Sequence, residues 1–186
     1  MTAQEEIKSL QKQIGDLKKK LTELRRAQTP TPVEDFEFQS STGNVRLSEL
    51  FGDQKDLILI SNMGDDCPYC TLWADGLTGL LPELQTRSAV ALVTPDPIAQ
   101  GEGFAKKRGW KFKVISDNGD FRRQLDFTLE SGWPYPGAFG FHKNSDGSVV
   151  EISRTPFGPG DDFCAAWPLI DLLKDGENGW EPNYRL

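Results

Sequence analysis

Cys67 and Cys70 sit two residues apart in Asp65-Asp66-Cys67-Pro68-Tyr69-Cys70, and one further cysteine, Cys164, occurs among the 186 residues. Two thiols at this spacing can share a disulfide: one attacks, and the other closes on it and releases the product. The same pair can clamp a metal, or be two small core residues. One C-x-x-C supplies two ligands where structural zinc takes four. The single histidine, His142, and Cys164 show no ligand spacing, so no metal and no other cofactor is expected. Cys164 reads as a small buried hydrophobe. His142 reads as a surface hairpin residue and not a general base.

The chemistry depends on where the chain places these sulfurs. The apolar run from Asp56 to Met63, DLILISNM, suits a central strand covered on both faces. It leads into Gly64-Asp65-Asp66, and a helix is expected from about Pro68 to Gln85. In open α/β sheets chemistry gathers at the carboxyl ends of parallel strands. Cys67 then stands at the N-terminal edge of the helix, where unpaired N–H groups and the helix dipole stabilise a thiolate. Such placement lowers a thiol pKa from ~8.5 toward ~7 or below. Pro68 suits the first helical position, since its missing N–H has no partner there. Cys70 falls one turn on, which makes Cys67 the attacking thiol and Cys70 the resolving one. Asp65 and Asp66 oppose this, because adjacent carboxylates disfavour a second negative charge and should push Cys67 upward. Asp75, two turns beyond Cys67, is either a proton acceptor for the pair or a solvated acid, with the solvated acid favoured.

Around this centre the order is strand, helix, strand, helix, strand, hairpin, helix. Strands are expected at 56–63, 89–94 and 112–117, a helix at 97–108 and a helical turn at 121–125. Asn144-Ser145-Asp146-Gly147 joins strands 137–142 and 148–153 as a hairpin. A last helix over 161–174 is capped by Asp161 or Asp162, with Pro168 kinking it or delaying its start. Upstream, Phe36 and Phe38 enter a hairpin at Thr42-Gly43-Asn44, and downstream Trp180 and Tyr184 offer anchors for an aperiodic tail. Parallel strands with crossovers and an antiparallel edge make an α/β fold, a central mixed sheet flanked by helices. Trp73, Trp110 and Trp133 read as core or rim aromatics, with Trp133 beside Pro134 bordering a substrate groove.

Residues 3–27 read as one helix. Ile7, Leu10, Ile14, Leu17, Leu21 and Leu24 alternate spacings of three and four, an a/d seam with polar residues elsewhere. This coiled-coil-like helix either pairs with a second copy, giving a homodimer, or packs on its own body. In a parallel pair Lys20 would face the partner's Arg25. Pro30 and Pro32 end the helix in a short stiff connector, which divides the chain into a helix over 1–29 and a globular unit over 30–186. The net charge of −7 argues against nucleic acid and anionic membrane as partners. No segment reaches the ~18 apolar residues of a membrane span, and the polar start MTAQEEIKSLQKQ lacks the apolar core of a secretory signal. A cytoplasmic location is expected, where a C-x-x-C pair is more often catalytic or metal-binding than structural.

These residues resemble the thioredoxin superfamily. Cys-Pro-Tyr-Cys is the glutaredoxin motif, while GNVRLSELFGDQKDLILISNMGDDCPYC is similar to the opening hairpin, turn, strand and C-x-x-C helix of the peroxiredoxin-type branch. CPYCTLWADGLTGL, FAKKRGWKF and SDNGDFRRQLDF resemble a bacterial thioredoxin-like family catalogued as a domain of unknown function and labelled a predicted dithiol-disulfide isomerase. The likeness spans residues 33 to 175. It implies a thioredoxin-like fold with a cis-proline before the antiparallel strand, facing the cysteines. The matching residue is Pro136, with the backbone of Tyr135 holding the substrate. Pro68, Tyr69, Asp66 and Asp75 complete the expected surroundings of the pair. Asp65 and Asp66 stand where glutaredoxins carry positive charge for glutathione. NMGDDCPYC lacks the Pro-x-x-x-Thr/Ser-x-x-Cys run of peroxiredoxins, which argues against peroxidase activity. The resemblance implies a thiol–disulfide oxidoreductase, a reductase or isomerase, acting on a protein or small-thiol disulfide and restored by a separate reductant. The alternative is a non-enzymatic thioredoxin-fold adaptor that dimerises through its N-terminal helix.

Overall fold

Among residues 2–183, which the computed structural model describes, eight strands form one mixed sheet. They are β1 (Thr31–Val33), β2 (Glu37–Ser40), β3 (Gly43–Arg46), β4 (Asp56–Ser61), β5 (Ala89–Thr94), β6 (Lys113–Ser116), β7 (Gly137–Lys143) and β8 (Val149–Pro156). Their spatial order is β1-β8-β7-β4-β5-β6-β2-β3. β4, β5 and β6 run parallel, and β7 and β8 join on the other side of β4 as an antiparallel pair. The helices are α1 (Ala3–Ala27), α2 (Pro68–Leu84), α3 (Ile98–Arg108), α4 (Asp120–Gln124) and α5 (Ala166–Ile170). This is the α/β layered arrangement expected from the sequence.

Side chains alternate across a strand, so a continuous apolar run supplies both faces. Leu57, Leu59, Ala91 and Val93 point into one layer with Phe38, Phe139 and Phe141. Ile60, Val90 and Leu92 point into the other, with Trp73, Leu77 and Leu81 of α2. The five residues of α4 are too few to hold a helix alone. Phe121 holds it, its ring 5.2 Å from Phe36, 5.3 Å from Phe38 and 5.1 Å from Phe139. Each such edge-on pair adds about 0.5–1.5 kcal/mol beyond simple burial. That wedge fixes the backbone of the next residue, Arg122.

Two expectations change, and one alternative is decided. The connector after Pro30 is in part a strand, because β1 pairs antiparallel with β8. Pro32 is tolerated there because an edge strand leaves one side of its backbone unpaired. The final helix shrinks to Ala166–Ile170, and Asp161 does not cap it. The Asp161 carboxylate instead accepts the N–H groups of Gly158 and Phe163, at 3.0 and 2.9 Å, and closes a turn. Pro168 sits in the first turn of α5, where its missing N–H costs nothing. Finally, no residue of α1 is buried, so its apolar seam does not pack on the body. The Trp180 ring meets Trp167 at 5.9 Å, whereas Tyr184 lies outside the described residues. No described helix is long and apolar enough to cross a membrane.

Candidate functional site

β4 ends at Ser61, and Gly64, with φ of 112°, turns the chain toward α2. Only glycine adopts that backbone without strain. Two side chains pin the turn: Asn62 Oδ1 accepts the Gly64 N–H at 3.2 Å, and Asp96 Oδ2 accepts the Asp65 N–H at 2.9 Å. Cys67 then becomes the N-cap of α2, with Pro68 at the first helical position. Its sulfur takes the role usually filled by a Ser or Asp oxygen, accepting the Cys70 N–H at 3.1 Å. Cys67 is half-buried, and Cys70, one turn on, is 3% exposed. Cys70 Sγ in turn accepts the Met63 N–H at 3.3 Å.

This geometry splits the two thiols. A hydrogen bond from the Cys70 thiol lowers Cys67 to about 7, helped by the N–H groups of Cys70 and Tyr69 and opposed by burial. Cys70 moves upward, first through that same bond and then through burial. The expected upward push from the two aspartates is absent. Asp65 accepts the Gln100 side-chain amide on both oxygens at 3.0 Å, and Asp66 is exposed, where water screens it. Tyr69 packs over Trp73 and Trp167, and burial is the first cause that raises its phenol.

Labelling of the reduced protein with iodoacetamide should therefore rise through a midpoint near pH 7. The thiol is protonated and slow below it, and the thiolate is formed above it. Peptide mapping should place the label on Cys67, and a midpoint near the ordinary 9.0 would show that the cap does not ionise it.

Beneath the pair lies a cation that the sequence did not announce. Arg122 and Asp117 are each 1% exposed and pair at 3.1 Å through Nη1 and Oδ2. Arg122 Nε donates to Ser61 Oγ at 3.2 Å, and Nη2 donates to the carbonyls of Asn62 and Val93, at 3.4 and 3.0 Å. The guanidinium is thus fixed against the segment whose next amide, that of Met63, holds Cys70. Burial lowers Arg122 to about 10, with Asp117 pulling the other way, so it remains a cation at neutral pH. Cys70 and Asp96 also act on its charge. No motif marks Arg122. Its only signal is its place next to Phe121, which the core must bury.

The remaining expected residues fall in varied places. The Tyr135–Pro136 peptide is trans, since no cis bond occurs among the described residues. The trans chain lets the Tyr135 carbonyl accept from Ser61 Oγ at 2.9 Å and the Pro136 carbonyl from the Phe157 N–H at 2.8 Å. The Tyr135 N–H donates to Phe127 at 3.1 Å, so both backbone groups of Tyr135 are engaged within the chain. Asp75 is not a free, solvated acid. It accepts Trp110 Nε1 at 2.7 Å and pairs with Arg108, tying α2 to α3. Cys164 is buried in the same apolar cluster as Cys70. His142 pairs with Asp56 at 2.7 Å, whereas Gly137 pairs with Ser61 at the other end of β4. That separation is roughly 17 Å of strand, so His142 has no part in the thiol site. Trp133 is 59% exposed and, with Pro134, Thr128, Arg122 and Arg123, lines a cavity of about 420 Å³ at the carboxyl ends of β5 and β6.

The sequence matches the model of a family described as a bacterial protein of unknown function, DUF899, over residues 2–179. No curated protein matches it. Among solved structures, peroxidoxin BcpB from Mycobacterium tuberculosis is 25% identical with a TM-score of 0.53, covering 69% of this chain and 84% of its own. A mutant PrxQ from Xylella fastidiosa is 15% identical with a TM-score of 0.58, covering 69% and 85%. Reduced Prx3 from Vibrio vulnificus, solved in complex with hydrogen peroxide, is 15% identical with a TM-score of 0.56, covering 70% and 88%. The architecture is thus thioredoxin-like, of the peroxiredoxin type.

Proposed function

The chain belongs to the DUF899 family of bacterial proteins, and for it we propose thiol–disulfide oxidoreductase activity, as a reductase or isomerase. One observation carries this reading: the half-exposed Cys67 sulfur caps α2 by accepting the Cys70 N–H, with the buried Cys70 one turn behind it. The Cys67 thiolate attacks one sulfur of a substrate disulfide, forming a mixed disulfide and expelling the other sulfur as a thiolate. Cys70 then gives up its proton and attacks Cys67, closing the Cys67–Cys70 disulfide and releasing the second substrate thiolate. Two electrons pass to the substrate, both expelled sulfurs take up protons, and an external dithiol restores the pair. An isomerase uses the same first step, with a substrate thiol closing the exchange.

The cavity beside Trp133 suits a protein substrate. Its exposed indole offers an apolar surface to an extended chain, and it shares Arg122 with the network under Cys70. A reducing, cytoplasmic setting fits, because the attacking form is the dithiol. The likeness to peroxidoxin BcpB motivates a second oxidant. A peroxide would convert Cys67 to a sulfenic acid, which Cys70 would condense to the same disulfide with loss of water.

The test is insulin reduction with dithiothreitol as the electron source, run beside a stopped-flow assay with hydrogen peroxide. Faster precipitation of the insulin B chain than in the protein-free control is the expected result. A rate equal to the control with rapid peroxide consumption would replace this reading by the peroxidase one. Inactivity in both assays would leave the adaptor.

A further inference from the structure

We propose that α1 is a self-association element that pairs antiparallel with α1 of a second copy of this chain. The helix begins without tertiary help: Thr2 Oγ1 accepts the Glu5 N–H at 3.2 Å, and Glu5 Oε2 accepts the Thr2 N–H at 2.7 Å. Its six seam residues, Ile7, Leu10, Ile14, Leu17, Leu21 and Leu24, are each 46–66% exposed. A seam of this kind has the 3.5-residue repeat that a second helix fills knob into hole. The body does not cover it. The tether is slight: Lys18 Nζ bonds Asp162 Oδ1 at 2.5 Å, with both side chains largely exposed, and Arg25 is half-buried against the β7–β8 side.

Charge decides the occupant and its direction. The first turn of α1 carries Glu5 and Glu6, and the last carries Arg25 and Arg26. In a parallel pair these like ends coincide, and Lys20 opposes the partner's Arg25. In an antiparallel pair the layers are Ile7 on the partner's Leu24, Leu10 on the partner's Leu21, and Ile14 on the partner's Leu17. Lys20 then meets the partner's Gln13, and Lys18 meets the partner's Gln11, so the flanking repulsion disappears. The acidic first turn of each helix then lies at the level of the basic last turn of the other, and the two helix dipoles oppose each other favourably. Burying the seam covers on the order of 600 Å² on each subunit, close to the ~800 Å² per partner of a standard interface.

The test is light scattering on the full chain after size exclusion at micromolar concentration. A dimer mass is expected for the native protein and a monomer for Ile14→Glu with Leu17→Glu. The circular dichroism of the body should stay unchanged, because the seam is exposed. A second variant reads the direction: Gln13→Cys with Lys20→Cys should give an intermolecular 13–20 disulfide on oxidation, identified by peptide mapping. A monomeric native protein overturns the proposal, and so does a dimer that survives the double glutamate change. A cross-link formed by Lys20→Cys with Arg25→Cys, and absent from the 13/20 variant, overturns the direction.

Discussion

Cys67→Ser should abolish insulin reduction, with a loss on the order of a thousandfold or more, while leaving the fold intact. A serine hydroxyl is not ionised at neutral pH, so the attacking anion is gone. Serine is nevertheless among the best N-caps. It can accept the Cys70 N–H that the Cys67 sulfur accepts now at 3.1 Å, and the thermal midpoint should hold or rise slightly. Cys70→Ser should behave differently. The first attack survives, slowed because the Cys70 thiol is the largest cause that lowers Cys67, but no sulfur follows to resolve it. The mixed disulfide should therefore accumulate, visible as added mass by intact-protein mass spectrometry under non-reducing conditions. Turnover by Cys67→Ser at even a tenth of the native rate would assign the attack to another sulfur and remove the basis of the mechanism.

Much of the positioning frame could be read directly. β5 occupies 89–94 as expected, because an unbroken apolar run bounded by Ser88 and Pro95 has no other way to be buried. The helix carrying the cysteines starts at Pro68, since proline at the first turn and a cap before it leave little choice of register. The pairings that depend on distant residues could not be read. Asp75 looked like a solvated acid because nothing nearby in sequence announces Trp110 and Arg108, thirty-odd residues on. Sequence alone makes the aspartates before Cys67 inhibitory, but adjacency in sequence is not adjacency of unscreened charge. Gln100, from α3, holds one of them, and the other faces water. The fold analogy placed a cis-proline at Pro136, whereas here Ser61 and Phe157 hold the carbonyls on either side of that residue in a trans chain. The α1 seam was legible as a pattern, but whether the body or a second helix covers it depends on where α1 leaves the sheet.

The least legible feature has the second largest expected effect. Of the adjacent pair Arg122 and Arg123, one is sealed in the core and the other is 65% exposed on its side chain, paired to Asp120. Phe121 makes the choice, because turning its ring into the cluster of Phe36, Phe38 and Phe139 carries Arg122 under the end of β4. Arg122→Met keeps the volume and removes the charge, leaving Asp117 buried and uncompensated. Breaking a buried pair on one side costs about 3–5 kcal/mol, out of a total domain stability of about 5–15 kcal/mol. The urea midpoint should fall accordingly, and Asp117→Asn should also lower it by stranding the cation.

Stability alone would make Arg122 structural, so the thiol chemistry supplies the second readout. Cys70 is held in its protonated form by its bond to Cys67 and by burial, yet it must ionise to resolve the mixed disulfide. A fixed cation next to the Asn62 carbonyl favours that ionised state as the Cys67 bond breaks. Losing that support slows resolution, because less of the Cys70 thiol is ionised when it must attack. In single-turnover experiments below the unfolding range, Arg122→Met should therefore prolong the mixed disulfide, while the iodoacetamide midpoint of Cys67 stays near pH 7. Arg122→Lys should restore part of the release rate. If both variants release substrate at the native rate, the buried arginine braces the sheet end and has no influence on the sulfur beside it.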